Sequence, residues 1–311
     1  MSWILIAILA YFILAIANLT DKFLVTTVLT SSKTYALVAC VLGIVVVLAA
    51  PWFLQWPGLC LFSINFLLGG VFVLALWLLY EALRRGEASR ILVFIGGITP
   101  VFSLIFSLVF FHEYFSGRQW LGIATLLAGI FIIAFLPQAR SYLTRVLNKL
   151  RIRLEAKTGG LLVAFFSALA YAVYFVGIKH AYASQPFFSG FIWTRLGAAF
   201  FVLFFLIRKK DRQEIARTLK QTKRPRHQFL VVFNQGLGSV GFILQNYAVF
   251  LGSVALVNAL QGVQYAFILV ISAVLAVLSP KLLKETFSWR IVLQKFAAVA
   301  MIALGLYALM I

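Results

Sequence analysis

From Leu121 to Leu136 the chain carries no charge and a single hydroxyl, that of Thr125. Apolar runs of about this length or longer recur along the whole sequence, at 3–20, 34–55, 62–82, 88–110, 119–136, 160–179, 188–207, 229–249, 254–278 and 290–310. A helix crossing hydrocarbon needs about 20 apolar residues, because each of its backbone polar groups must be satisfied within the segment. Transmembrane β-strands are about 10 residues of alternating polarity, a pattern these runs lack. A soluble chain is about 25% charged, whereas this one is 11% charged and 63% hydrophobic. The sequence therefore predicts an all-α integral membrane protein of ten transmembrane helices. The first run, Trp3 to Ala17, has no basic n-region and no A-x-A site, so it reads as a span and not as a signal peptide.

Net charge is +19, from 27 Lys+Arg against 8 Asp+Glu. The bases lie in joints between spans, where anionic lipid headgroups are their natural partner and nucleic acid is not. Six of them fall between Pro137 and Thr158, with Leu143, Val146, Leu147 and Leu150 at helical spacing, which predicts an amphipathic interface helix. Nine more lie between Arg208 and Gln228, read as a solvated charged loop. All bases except Arg118, Lys179 and Arg195 sit in odd-numbered joints or in the first turns of the span that follows one, and the positive-inside rule then puts both termini outside.

An internal repeat organises the spans. His112-Glu113-Tyr114-Phe115-Ser116-Gly117-Arg118 aligns with Lys284-Glu285-Thr286-Phe287-Ser288-Trp289-Arg290, and Lys22 after span one aligns with Lys179 after span six. Arg85-Gly86-Glu87-Ala88 likewise matches Leu251-Gly252-Ser253-Val254-Ala255. Residues 1–136 and 159–311 then form two five-helix units joined by 137–158, and an odd helix number makes the repeats inverted. Inverted repeats place a binding site near the midplane and allow alternating access by rocking.

These residues resemble the drug/metabolite transporter superfamily, in particular its EamA-like ten-helix members. The resemblance rests on Gly97-Ile98-Thr99-Pro100 leading to His112-Glu113, and on Gln119-Trp120-Leu121-Gly122-Ile123 with Ala128-Gly129-Ile130. The second copy departs from it, with Ala266 where Pro100 stands and Lys295 near the place of Gly122. Arg195 falls where members often carry Arg, while span two has no counterpart near Tyr35. The resemblance implies a transporter with cytoplasmic termini, opposite to the charge bias. It implies no substrate, since members move amino acids, sugars, nucleotide conjugates or drugs.

Buried amides in hydrocarbon cost several kcal/mol when unpaired. Asn258, Gln261 and Tyr265 fall at i, i+3 and i+7 on one helical face, with Ser272 a further seven along, and predict a cavity wall or interhelical hydrogen bonds. Span eight repeats the pattern with Gln235, Ser239 and Asn246, beside Asn234 and Gln245, while Gly236, Gly238 and Gly241 would admit a close neighbour. Gly96, Gly97 and Pro100 predict a hinge in span four. Asn18 and Tyr174 add polar groups in spans one and six, and Trp77 an aromatic face in span three. Lys22 and Lys179 are expected to snorkel to headgroups. Arg195, eight residues into its span, needs a partner or a wet pocket. Glu81 is the acidic candidate for proton coupling.

Enzyme chemistry finds no support: His112, His180 and His227 stand at span ends, and there is no G-x-S-x-G, no metal-spaced set and no Gly-Lys-Ser/Thr phosphate loop. No cofactor is expected, and Cys40 and Cys60 make no disulfide framework. The expected function is secondary transport of a small polar or amphipathic metabolite or drug, with spans one, three, four, six, eight and nine around the cavity, in a plasma or inner membrane. The alternative is a non-transporting scaffold or lipid-handling protein.

Overall fold

The computed structural model describes residues 2–86, 88–148, 157–221, 225–278 and 289–310, and all its regular elements are helical. They are α1 (Ser2–Phe23), α2 (Ser32–Leu42), α3 (Ala50–Phe53), α4 (Leu59–Arg85), α5 (Ala88–Phe110), α6 (Gly117–Asn148), α7 (Lys157–Tyr182), α8 (Phe187–Val202), α9 (Lys209–Gln221), α10 (Pro225–Leu251), α11 (Val254–Ala259), α12 (Gln261–Leu278) and α13 (Trp289–Met310). Among the described residues, five helical segments are long and apolar enough to cross a membrane: Ser2–Val28, Ser32–Phe53, Leu59–Arg85, Gly160–Tyr182 and Phe187–Leu206. The apolar pieces Phe94–Phe110, Gly117–Ile132, Val254–Ile268 and Ala300–Leu309 are shorter.

Local chemistry sets the helix starts. Ser31 caps α2 by accepting from the Thr34 amide, and Ser253 caps α11 by accepting from the Leu256 amide. Ser116 and Gln119 form a reciprocal capping box at the start of α6. Gly58, at φ +85°, supplies the left-handed turn before α4.

Several expected boundaries shift. Asp21 and Lys22 do not end the first helix, which runs on as a π-helical turn through Leu24–Val28 because both charges find partners inside the protein. The expected loop at 208–228 contains α9, whose Lys, Arg, Gln and Glu residues are good helix formers. It buries Ile215 and Thr218, and Asp211 pairs with Lys33 at 2.6 Å. The helix expected over 254–278 is interrupted at Leu260, between α11 and α12, and Asn258 and Gln261 fall on either side of the interruption. The backbone of α6 continues to Asn148. Of Leu143, Val146 and Leu147 in the expected interface helix and of Ser272 only backbone is described, and Leu150, Glu87 and the 284–288 part of the second motif copy lie outside the described residues.

In the packing, α4 lies against α7 and α8, α1 against α10 and α12, α5 against α7, and α6 against α13. The α4–α8 crossing is backbone on backbone. A Cβ on Gly69 would sit 2.4 Å from the Thr194 oxygen, and one on Gly197 2.4 Å from the Phe66 oxygen. Only glycine permits that approach.

Candidate functional site

Where α4 closes tightly on α8, α10 touches α2 only sparsely, and a cavity of about 450 Å³ lies behind the gap. It is lined by α1 (Leu14, Asn18, Asp21), α2 and its continuation (Ala39, Leu42, Gly43, Val46), α4 (Phe72, Leu76, Tyr80), Tyr171 of α7, Phe191 and Arg195 of α8, and α10 (Asn234, Gln235, Phe242). A chamber of about 80 Å³ adjoins it, sharing Leu14, Asn18, Leu79, Tyr171 and Phe242, and adds Gln245, Gln261, Gln264 and Tyr265. The second apolar segment thus contributes to the main wall, which the sequence did not anticipate, and the seventh does so through Phe191 beside the expected Arg195, while the fourth and ninth reach only the smaller chamber.

Two charges define the cavity. The Arg195 side chain is held in a cage of three rings, its guanidinium carbon 4.2 Å from the Phe72 centroid, 4.6 Å from Phe242 and 4.7 Å from Phe191. Cation–π contacts stabilise it by about 0.5–2 kcal/mol each. Arg195 is only 8% exposed, its Nε and Nη2 have no hydrogen-bond partner, and no carboxylate pairs with it among the described residues. Asp21, also buried, accepts from the Tyr35 hydroxyl at 2.5 Å and the Asn234 amide at 2.7 Å. It ties α1 to α2 and α10, with no salt bridge among the described residues.

The remaining expected residues divide clearly. Asn18 and Gln235 line the main cavity, and the Gln235 Nε2 is unpartnered among the described residues. Gln261 and Tyr265 line the smaller chamber. Asn258 lies outside both: its amide donates to Ser103 at 2.8 Å, joining α11 to α5. Asn246 and Tyr174 also stand behind the wall, with the Tyr174 hydroxyl donating to the Asn246 oxygen at 3.0 Å. Trp77 packs on Phe205 with the Lys33 ammonium 5.6 Å from its ring, away from the cavity. Glu81 does not line the cavity either, being bound by Ser32 at 2.6 Å, Arg85 at 2.7 Å and Arg84 at 3.1 Å.

Gly96 is a seat. A Cβ there would fall 1.6 Å from the Tyr265 hydroxyl, which donates to the Leu92 oxygen at 2.6 Å. Gly97 faces Ile130, and α5 remains helical through Pro100, which has no N–H for the Gly96 carbonyl. On α10, Gly241 meets Leu14 closely, whereas Gly236 has nothing within 4 Å and Gly238 only Ala17 at 3.8 Å.

Lys22 and Lys179 point inward, not to headgroups. Lys22 donates to the Leu83 and Gly86 oxygens at 2.5 and 2.6 Å. Lys179 donates to those of Val249, Phe250 and Gly252 at 3.0, 3.1 and 2.8 Å. Each ammonium satisfies carbonyls that a helix C-terminus leaves without partners. The opposite end, near Gln55 and Trp56, is bolted by reciprocal amide bonds between Asn65 and Gln185 at 3.0 and 3.1 Å, and by Ser189 on Gln55.

Sequence reasoning missed Asp21 as a cavity group and missed the three rings around Arg195. An acid next to a lysine resembles a span end, and of the three rings only Phe191 lies on Arg195's own helix, one turn before it, while Phe72 and Phe242 come from the distant α4 and α10.

The model of the EamA-like transporter family matches residues 1–135 and again 158–311. A solved structure titled "Crystal structure of protein" shares the fold at TM-score 0.59 and 18% identity, covering 98% of this chain and 94% of that one. No curated protein matches the sequence.

Proposed function

The chain belongs to the EamA-like transporter family and is an integral, multi-pass membrane protein, and on that premise we propose that it is a secondary transporter. Its substrate is a small polar or amphipathic molecule, and access to the cavity alternates between the two membrane faces. Ten spans form two inverted five-helix repeats, 1–136 and 159–311, in a plasma or inner membrane. The matched lysines support that symmetry: Lys22 holds the α4–α5 joint and Lys179 the α10–α11 joint. So does the packing of α4 on α7, matched by that of α10 on α1.

The observation that carries the transport reading is an asymmetry between equivalent helix pairs. The α4–α8 pair is sealed by Gly69 and Gly197, while its counterpart, α10 with α2, packs only sparsely and is bridged through Asp21 beside a cavity that holds Arg195. Parting the sparsely packed pair opens one end, and exchanging the packing of the two pairs moves the opening to the other. Asp21 takes the coupling role in place of Glu81, because it lines the cavity and joins the helices that must part.

Locking the bolted end tests this. Asn65→Cys/Gln185→Cys, with Cys40 and Cys60 replaced by Ser, is bridged by a cleavable bifunctional thiol reagent in vesicles loaded with cell extract. Metabolite release stops on bridging and returns on cleavage. Undiminished release from bridged protein would sink alternating access.

A further inference from the structure

We infer that the cavity takes a single-chain amphiphile with one acidic group, which enters from the bilayer between α2 and α10 and seats its head on Arg195. This deepens the transport reading and rests on it for the passage of the bound molecule across the membrane. Arg195 lines the cavity, and its Nε and Nη2, both buried and unpartnered, lie on one edge of the guanidinium with parallel N–H groups. Such an edge matches two oxygens on one carbon or phosphorus. A charge this buried, with three ring faces around it and no carboxylate partner among the described residues, is costly without a counter-ion. The ligand therefore brings the anion, as a carboxylate or a phosphate monoester.

The wall and the entrance specify the rest of the molecule. Leu14, Leu42, Val46, Leu76, Leu79 and Ile243 give the cavity an aliphatic stretch that suits an alkyl chain, beside the polar Asn18, Asp21, Asn234 and Gln235. The end routes are obstructed: the Asp21–Tyr35–Asn234 cluster ties α1, α2 and α10 on one side, and Asn65–Gln185 with the Gly69–Gly197 crossing closes the other. The side is not. Val45, Val232 and Val240 line the cavity yet are 62, 53 and 49% exposed, and Gly236 faces open space. In a membrane those positions meet acyl chains, so the slot admits a molecule already dissolved in the leaflet.

The test uses the full chain in nanodiscs of zwitterionic lipid, with bound molecules counted by native mass spectrometry. The probes are dodecanoate, dodecyl phosphate, dodecyltrimethylammonium, acetate and inorganic phosphate. One long-chain acid binds per chain, the better of the first two naming the head. The cation and the two short anions bind at least about tenfold more weakly. Arg195→Gln, checked for unchanged thermal unfolding, weakens the long-chain acid by about tenfold or more, as expected for losing a charge-assisted bidentate contact. Val240→Trp fills the slot without touching Arg195 and lowers occupancy at fixed probe concentration, so it decides the matter if Arg195→Gln does not fold. Equal binding of the cation, equal binding of the short anions, or full occupancy in the folded variants overturns the inference. Acid binding without any flux leaves it standing and removes the transport reading; metabolite flux without acid binding does the reverse.

Discussion

Replacing Gly96 by Ala adds one methyl group at a place already filled. Its Cβ would lie 1.6 Å from the Tyr265 Oη, 2.2 Å from Cζ and 2.4 Å from Cε2, so the ring must leave its seat. Two costs add. Overpacking a core by a methyl typically costs about 1–3 kcal/mol. The displaced hydroxyl also loses its 2.6 Å bond to the Leu92 oxygen, and an unsatisfied buried pair costs about 1–3 kcal/mol more. The expected loss is about 4 kcal/mol, a fall in thermal midpoint on the order of 10 °C at about 2–4 °C per kcal/mol. Thermal unfolding of detergent-purified protein measures it. In a Tyr265→Ala background the obstruction is gone, and Gly96→Ala should instead stabilise by about 0.5–1 kcal/mol, the ordinary helix preference for alanine over glycine. A penalty of similar size in both backgrounds would refute the assignment of Gly96 as the seat of Tyr265.

Other substitutions probe the ends of the bundle. Lys179→Met removes the donor shared by three carbonyls and is expected to cost about 2–4 kcal/mol in the same assay, at about 1.5–3 kcal/mol for a hydrogen bond to a charged group with partial recovery by water. Lys179→Arg should not restore it, because a planar fork cannot replace a point charge among convergent oxygens. Gly197→Val forces a Cβ towards the Phe66 oxygen from 2.4 Å; the variant should lose about 3 kcal/mol and, once folded, make Asn65→Cys react faster with a membrane-impermeant thiol reagent. For Asp21→Asn, vesicle flux should lose its pH dependence, whereas Glu81→Gln should keep it.

Hydropathy made the membrane class legible, because the need for about 20 apolar residues involves no knowledge of partners. Arg195 was legible for the same reason, as a charge deep in an apolar run must be accommodated. Features that depend on distant contacts were not. Asp21 and Lys22 mimic a helix end until Tyr35, Asn234, Leu83 and Gly86 are seen to satisfy them. The polar face drawn through Asn258 and Gln261 assumed a helix that does not break, and no proline marks the turn at Leu260. Charge density made 208–228 look like a loop, although Ile215 and Thr218 give α9 a buried side. Conversely, position alone leaves the span-end lysines free to snorkel, and only the tertiary structure supplies the carbonyls they hold.

The most direct measurement compares untargeted metabolite profiles of vesicles carrying wild type, Arg195→Gln or Trp77→Phe at matched membrane levels. Trp77 packs outside the cavity, so Trp77→Phe should shift the same small set of molecules as wild type, while Arg195→Gln leaves that set where protein-free vesicles have it. An Arg195→Gln profile identical to wild type would contradict the central claim that the caged arginine marks the path of the transported molecule.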